Sequence, residues 1–108
     1  MKFLLCSLCL VAVCCAGCAQ RPLTDSEFRG FCYTLSEPKN ASCDTITMCD
    51  AFDSGAIGMP HQSRQDCLNA CQAVYNRLYE PNLFISCSPT LRNANNWCFK
   101  YCESNFPK

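Results

Sequence analysis

The cysteines constrain this chain more than any other feature. Thirteen of its 108 residues are cysteine, and eight of them fall in the 89 residues from Gln20 to Lys108. An even number of cysteines at about nine per cent of a short chain is typical of a small secreted domain held by disulfides. So short a chain buries little apolar surface, and cross-links then decide whether it folds. The eight residues predicted to form disulfides are Cys32, Cys43, Cys49, Cys67, Cys71, Cys87, Cys98 and Cys102.

Residues 1–19 have the layout of a secretory signal peptide. Lys2 gives a positive start, an apolar run follows from Phe3 to Val13, and small residues suit cleavage before Gln20. The apolar run is too short to span a membrane. A bacterial lipoprotein box ending in Cys18 is the alternative interpretation. We expect residues 1–19 to be a signal peptide and residues 20–108 to form one cysteine-rich domain, secreted and extracellular.

The charge of the predicted mature chain is close to neutral. Without Lys2, eight basic residues face nine acidic ones, so the net charge is −1. No basic patch is present, so we expect neither nucleic-acid binding nor strong membrane binding. Asn40-Ala41-Ser42 is an N-glycosylation sequon and predicts a glycan on Asn40.

Apolar spacing and capping residues predict two helices, at about 63–79 and 89–104. Ser63 and Asp66 form a capping box ahead of the first helix, and Pro81 lies just beyond its predicted end. Ser88 caps the second helix, with Pro89 at its first position. The predicted buried stripes are Cys67, Cys71, Val74, Tyr75 and Leu78 on the first helix, and Leu91, Ala94, Cys98, Tyr101 and Cys102 on the second.

The rest of the chain gives weaker local signals. Residues 24–27 are a capping-box pattern that predicts one helical turn before Gly30 ends it. Residues 43–49 alternate like a strand, with a short helix as the alternative, and residues 53–60 have the glycines and proline of a loop. The expected fold class is therefore small and disulfide-rich, mainly α with little or no β.

The two C-x3-C pairs, Cys67/Cys71 and Cys98/Cys102, each place two sulfurs on one helix face. We expect each pair to form two parallel disulfides to neighbouring segments, with neither pair closing within its own helix. Eight cysteines allow about 105 connectivities, which the sequence leaves open. Four thiolates could alternatively hold zinc, but a secretory environment oxidises them. We therefore expect no metal and no cofactor.

Catalytic groups are sparse. His61 is the single histidine, and a Ser/His/Asp site could be drawn only from Ser63, His61 and either Asp53 or Asp66. Neighbouring loop residues seldom converge on one reacting atom, and a small chain leaves little room for a pocket. We expect His61 to be an exposed loop residue and the protein not to be an enzyme.

Aromatic side chains are concentrated in the C-terminal half. They belong either to the core or to a contact surface, because aromatic residues dominate the binding energy of protein interfaces. The candidates for partner binding are Trp97, Phe99 and Tyr101.

Residues 43–71, "CDTITMC…SGAIGMPHQSRQDCLNAC", resemble the C-terminal half of Kunitz-type inhibitors, particularly the divergent tick anticoagulants. The resemblance implies a closing helix that carries C-x3-C and an inhibitory role. A Kunitz domain also has two cysteines and an inhibitory loop upstream, whereas here only Cys32 precedes Cys43. A complete Kunitz domain is therefore not predicted.

The order of cysteines from Cys43 to Cys102, with "SCSPTLRNANNWC", is similar to the macins, which are secreted antimicrobial proteins. Macins close with C-x-C and are basic, and this chain departs from both features. A host-defence protein, or a secreted signal or pheromone, is accordingly the alternative. The expected function is a venom- or saliva-type toxin or inhibitor that binds an extracellular channel, receptor or protease.

Overall fold

Four α-helices and one π-helical segment account for most of the described residues, 21–36, 43–79 and 87–107, of this computed structural model. The elements are α1 (Asp25–Tyr33), α2 (Thr45–Phe52), the π-helical segment Asp53–Ile57, α3 (Arg64–Tyr79) and α4 (Ser88–Asn105). No β-strand occurs within those three ranges. The predicted small, disulfide-rich, mainly α fold is confirmed. The predicted signal peptide (1–19) and Asn40 lie outside the described residues.

The helices α3 and α4 occur where the spacing predicts them. Ser63 Oγ accepts the Asp66 N–H at 3.1 Å, which is one half of the expected capping box. The Asp66 carboxylate accepts from the Gln62 N–H at 3.3 Å rather than from Ser63. Helix α4 begins one residue earlier than predicted, because Cys87 occupies the N-cap position without a side-chain cap bond.

The predicted strand at 43–49 is wrong, because this segment contributes to helix α2. Asp44 caps the helix by accepting from the Thr47 N–H at 3.0 Å and from the Thr47 hydroxyl at 2.6 Å. These bonds lower the Asp44 pKa, with the hydroxyl contact the largest cause. Met48, Cys49 and Phe52 are then buried together on one helical face, which outweighs the β-propensity of the Thr-Ile-Thr run.

Helix α1 continues past Gly30, contrary to the prediction that it stops there. Thr24 caps it by accepting the Glu27 N–H at 3.1 Å, as the capping box predicts. Phe28 and Cys32 lie on its inner face and are both fully buried. This tertiary packing outweighs the cost of about 1 kcal/mol for a helical glycine.

The predicted loop at 53–60 is also partly helical. Residues 53–57 form the π-helical segment, which ends where the Gly58 N–H donates to the Asp53 carbonyl at 2.7 Å. Ala56 and Ile57 are buried. The wide π turn therefore carries the buried face of α2 onward into the core before the chain turns toward α3.

Four disulfides tie these elements together. Cys32–Cys49 joins α1 to α2, and Cys43–Cys87 joins the starts of α2 and α4. Cys67–Cys102 and Cys71–Cys98 join α3 to α4, with the early cysteine of one helix paired to the late cysteine of the other. The two helices are therefore antiparallel, and each C-x3-C pair is bonded across to the neighbouring helix as expected.

The core is built around these bonds. All eight disulfide cysteines are buried, together with Phe28, Met48, Phe52, Ala56, Ile57, Val74, Leu91 and Ala94. No helix among the described residues has the length and apolarity needed to cross a membrane.

Candidate functional site

The side chain of His61 is buried, although the residue as a whole is only partly so, which corrects the expectation of an exposed loop histidine. Only 5% of its side chain is exposed. Its Nε2–H donates to the Ala56 carbonyl at 2.6 Å, because a carbonyl can only accept. Its ring makes a T-shaped contact with the ring of Phe106. Nδ1 is 3.8 Å from the Asp66 carboxylate. The ring thus holds the loop to the C-terminal segment, and no hydrogen bond links it to Ser63 in the described chain.

The cysteine sulfurs between α3 and α4 lie as close together as the ligands of a metal site, but they are in disulfides and are not thiolates. The sulfurs of Cys67, Cys71 and Cys102 lie within 4.8 Å of one another, and those of Cys71 and Cys102 are 3.5 Å apart. Each sulfur is bonded to another sulfur in a disulfide. Metals are bound by thiolates, so the oxidised cluster serves as a cross-link.

Trp97, one of the three predicted partner-binding residues, lies where α4 meets α1 and is partly exposed. It is half-buried on α4, and its indole stacks on the Phe31 ring of α1 with centroids 4.1 Å apart and planes inclined by 7°. Phe31 is itself 41% exposed. An aromatic stack shared by two helices is therefore partly exposed to solvent.

Lys100 adds a positive charge to this stack. Its Nζ lies 4.2 Å from the centre of the Trp97 ring, which is within cation–π range. Arg21, which lines the same pocket region as Lys100, pairs with Glu27 at 2.6 Å, and Arg29 of α1 pairs with Asp53 at 2.9 Å. No carboxylate of the described residues lies within 4.0 Å of Lys100.

A groove runs from Trp97 toward the end of α4. One wall is the extended segment 21–23, held in place because Ser104 Oγ accepts the Leu23 N–H at 2.9 Å and Asn105 Nδ2 donates to the Leu23 carbonyl at 2.8 Å. The groove is lined by Arg21, Pro22, Leu23, Trp97, Lys100, Glu103, Ser104, Asn105 and Pro107. Its lining combines apolar side chains with three charged ones, Arg21, Lys100 and Glu103.

The other two predicted candidates, Phe99 and Tyr101, make contacts within the fold. Phe99 is half-buried and packs against the core. The Tyr101 hydroxyl donates to Asp25 at 3.0 Å and so ties α4 to the start of α1. Burial, and then the bond to Asp25, raise the pKa of Tyr101 to about 12. Of the three candidates, Trp97 is the one that lines the groove.

The solvent-facing side of α1 carries a second exposed aromatic residue, Tyr33, in addition to Phe31. On a helix, Phe31 projects about 100° to one side of Gly30 and Tyr33 about 60° to the other. Tyr33 is 39% exposed, and its hydroxyl donates to Asp50, a bond that raises the Tyr33 pKa. A Cβ added at Gly30 would meet nothing within 4 Å. We call the surface formed by Gly30, Phe31, Tyr33, Trp97 and Lys100 the aromatic face.

The sequence interpretation missed four residues of this face, Gly30, Phe31, Tyr33 and Lys100. A signal for Phe31 was present, because Phe28 and Cys32 define the inner side of an amphipathic α1 and leave Phe31 off it. Nothing local links α1 to α4, which lie about sixty residues apart in the chain. The stack therefore depends on tertiary packing.

The chain matches no protein-family model, no curated protein and no solved structure. The resemblances to Kunitz inhibitors and to macins accordingly stay predictions.

Proposed function

We propose that this chain is a secreted, non-enzymatic protein that binds an extracellular protein target, as a venom- or saliva-type toxin or inhibitor. The target class is a channel, a receptor or a protease. The leader-like residues 1–19 support secretion, and the four disulfides are consistent with an extracellular setting.

The observation that carries the proposal is the partly exposed Phe31–Trp97 stack. Phe31 is 41% exposed and Trp97 is half-buried, and the two stacked rings lie beside the groove. Aromatic residues, with Trp and Tyr foremost, are over-represented among the side chains that dominate binding energy. Disulfides tie α1 to α2 and α2 to the start of α4, and the Tyr101–Asp25 hydrogen bond joins α1 to α4 directly. The surface is therefore formed before a partner arrives, which lowers the entropic cost of binding.

The test uses the oxidised recombinant protein in panels of ion channels, clotting reactions and proteases. Trp97→Ala should weaken the response found there by about 30-fold or more, the effect of losing a dominant interface residue. Tyr79→Ala is the matched control, because Tyr79 is an aromatic residue of α3 that is 49% exposed and lies outside the aromatic face.

Two results would contradict the proposal. One is the absence of any response to the oxidised protein in all three panels. The other is a response that Trp97→Ala leaves unchanged while circular dichroism shows the variant to be folded.

A further inference from the structure

We propose that the partner presents an acidic segment to the aromatic face, with a carboxylate at Lys100 and its main chain crossing α1 at Gly30. This inference rests on the proposed function and names the chemistry of the partner that the same face selects. Two independent observations carry it, one of charge and one of shape.

The charge observation is the isolation of Lys100. Its ammonium lies over an aromatic ring, while Arg21 of the same groove and Arg29 of α1 are paired with carboxylates of the same chain. Lys100 is therefore the cation of this face still available for an ion pair. Charged groups across interfaces are arranged in complementary fashion, so the complement of Lys100 is an anion.

The shape observation is Gly30. A glycine inside a helix is less stable than alanine, and here nothing in the described chain requires it, because the space around a Cβ is empty. Gly30 lies between the exposed rings of Phe31 and Tyr33 and leaves a shallow depression on the outer side of α1, which we call the saddle. Glycine at such a place permits close approach of another backbone.

The two observations together favour a protein segment over other anions. A sulfated polysaccharide or an anionic membrane is bound through several cations at once, whereas the described residues of this face include one unpaired cation, Lys100. A peptide uses all of the surface: a carboxylate for Lys100, apolar side chains for the Phe31–Trp97 stack, and a main chain for the saddle. Glu103, which also lines the groove, opposes a second carboxylate there.

The test is selection of a random 12-residue peptide library displayed on phage against the immobilised oxidised protein. The selected peptides should combine Asp or Glu with apolar or aromatic residues. A synthetic peptide of the most enriched sequence, together with its Glu/Asp→Gln/Asn counterpart, then serves as the probe for calorimetric titration.

Lys100→Gln should weaken that peptide up to about fivefold, the range of a surface ion pair, and the loss should shrink in high salt. Glu103→Gln should leave binding unchanged or tighten it. Arg77→Gln, which removes an exposed charge from α3, is the matched control and should have no effect. Gly30→Ala should weaken binding about tenfold by adding a methyl at a close contact, without loss of thermal stability.

The outcomes separate this inference from the proposed function. Peptides that need Trp97 but are indifferent to Lys100→Gln and Gly30→Ala would overturn the inference and leave the proposed function standing. Binding that survives Trp97→Ala would contradict both. Failure to enrich acidic peptides, or capture of heparin in their place, would also overturn the inference.

Discussion

Whether a larger side chain can replace a glycine in this protein depends on the space around its Cα. Gly30 and Gly55 are the two extreme cases. Gly30 faces open space on α1, whereas a Cβ on Gly55 would lie 2.6 Å from Cγ2 of the buried Val74. The π-helical segment therefore packs against α3 at a distance that only glycine allows. Packing therefore requires glycine at position 55 and does not require it at position 30.

The same substitution should consequently have opposite effects at these two sites. Gly30→Ala should raise the free energy of unfolding by about 0.5–1 kcal/mol, because alanine favours the helix. Gly55→Ala should lower it by about 1–2 kcal/mol, since the stiff Val74 side chain must move. Urea denaturation of both variants checks this, and equal effects would contradict it.

Tyr101 should make the stability of the folded protein depend on pH. Its pKa rises from 10.0 to about 12 in the folded protein, so the unfolded chain releases the proton more readily. The stabilisation is complete below pH 10 and is lost as the pH rises from about 10 toward 12. Denaturation at pH 8 and pH 11 should show a smaller alkaline loss in Tyr101→Phe than in the wild type. Identical losses would contradict the assignment.

At the scale of elements, caps and buried faces decided which segments are helical. Local capping chemistry identified α3 from the sequence. The cap at Asp44 is of the same kind, but for residues 43–49 the prediction of a strand rested on their alternating pattern. The π-helical segment had no local signal, because glycine-rich sequences usually indicate loops. Its helical form follows from the burial of Ala56 and Ile57.

The cap of α3 can be tested directly. Ser63→Ala removes the acceptor for the Asp66 N–H and should lower the free energy of unfolding by about 1 kcal/mol. Ser63→Asp should retain most of the stability, because aspartate accepts the same bond and favours a helix N-terminus. Thermal denaturation compares the three proteins. Equal losses for alanine and aspartate would show that the cap contributes nothing.

For the whole molecule, the disulfides differ in what they constrain. Cys67–Cys102 and Cys71–Cys98 connect the same two helices, and only three residues separate the two cysteines on each helix. While the outer bond remains, the inner bond closes only a small ring. Cys43–Cys87 spans 44 residues and closes a much larger one, so it restricts the unfolded chain more.

The chain-entropy relation makes this a comparison of two variants. Cys43→Ala/Cys87→Ala should cost about 4 kcal/mol and Cys71→Ala/Cys98→Ala about 3 kcal/mol from ring closure. Guanidinium denaturation at fixed pH measures both, with mass spectrometry verifying the three remaining bonds. A larger entropic loss for the inner bond, obtained from the temperature dependence of unfolding, would contradict the ring-size argument.

The sequence by itself determined the disulfide-rich helical class, the positions of α3 and α4, and the bonding of each C-x3-C pair outside its own helix. These follow from local rules: cysteine number, 3.6-residue spacing and capping side chains. Only the tertiary structure decided the pairing of the eight cysteines, the burial of His61, the continuation of α1 through Gly30, and the meeting of Phe31 with Trp97. Each of these depends on contacts between residues far apart in the chain, and such contacts leave no periodic trace in either partner's own segment.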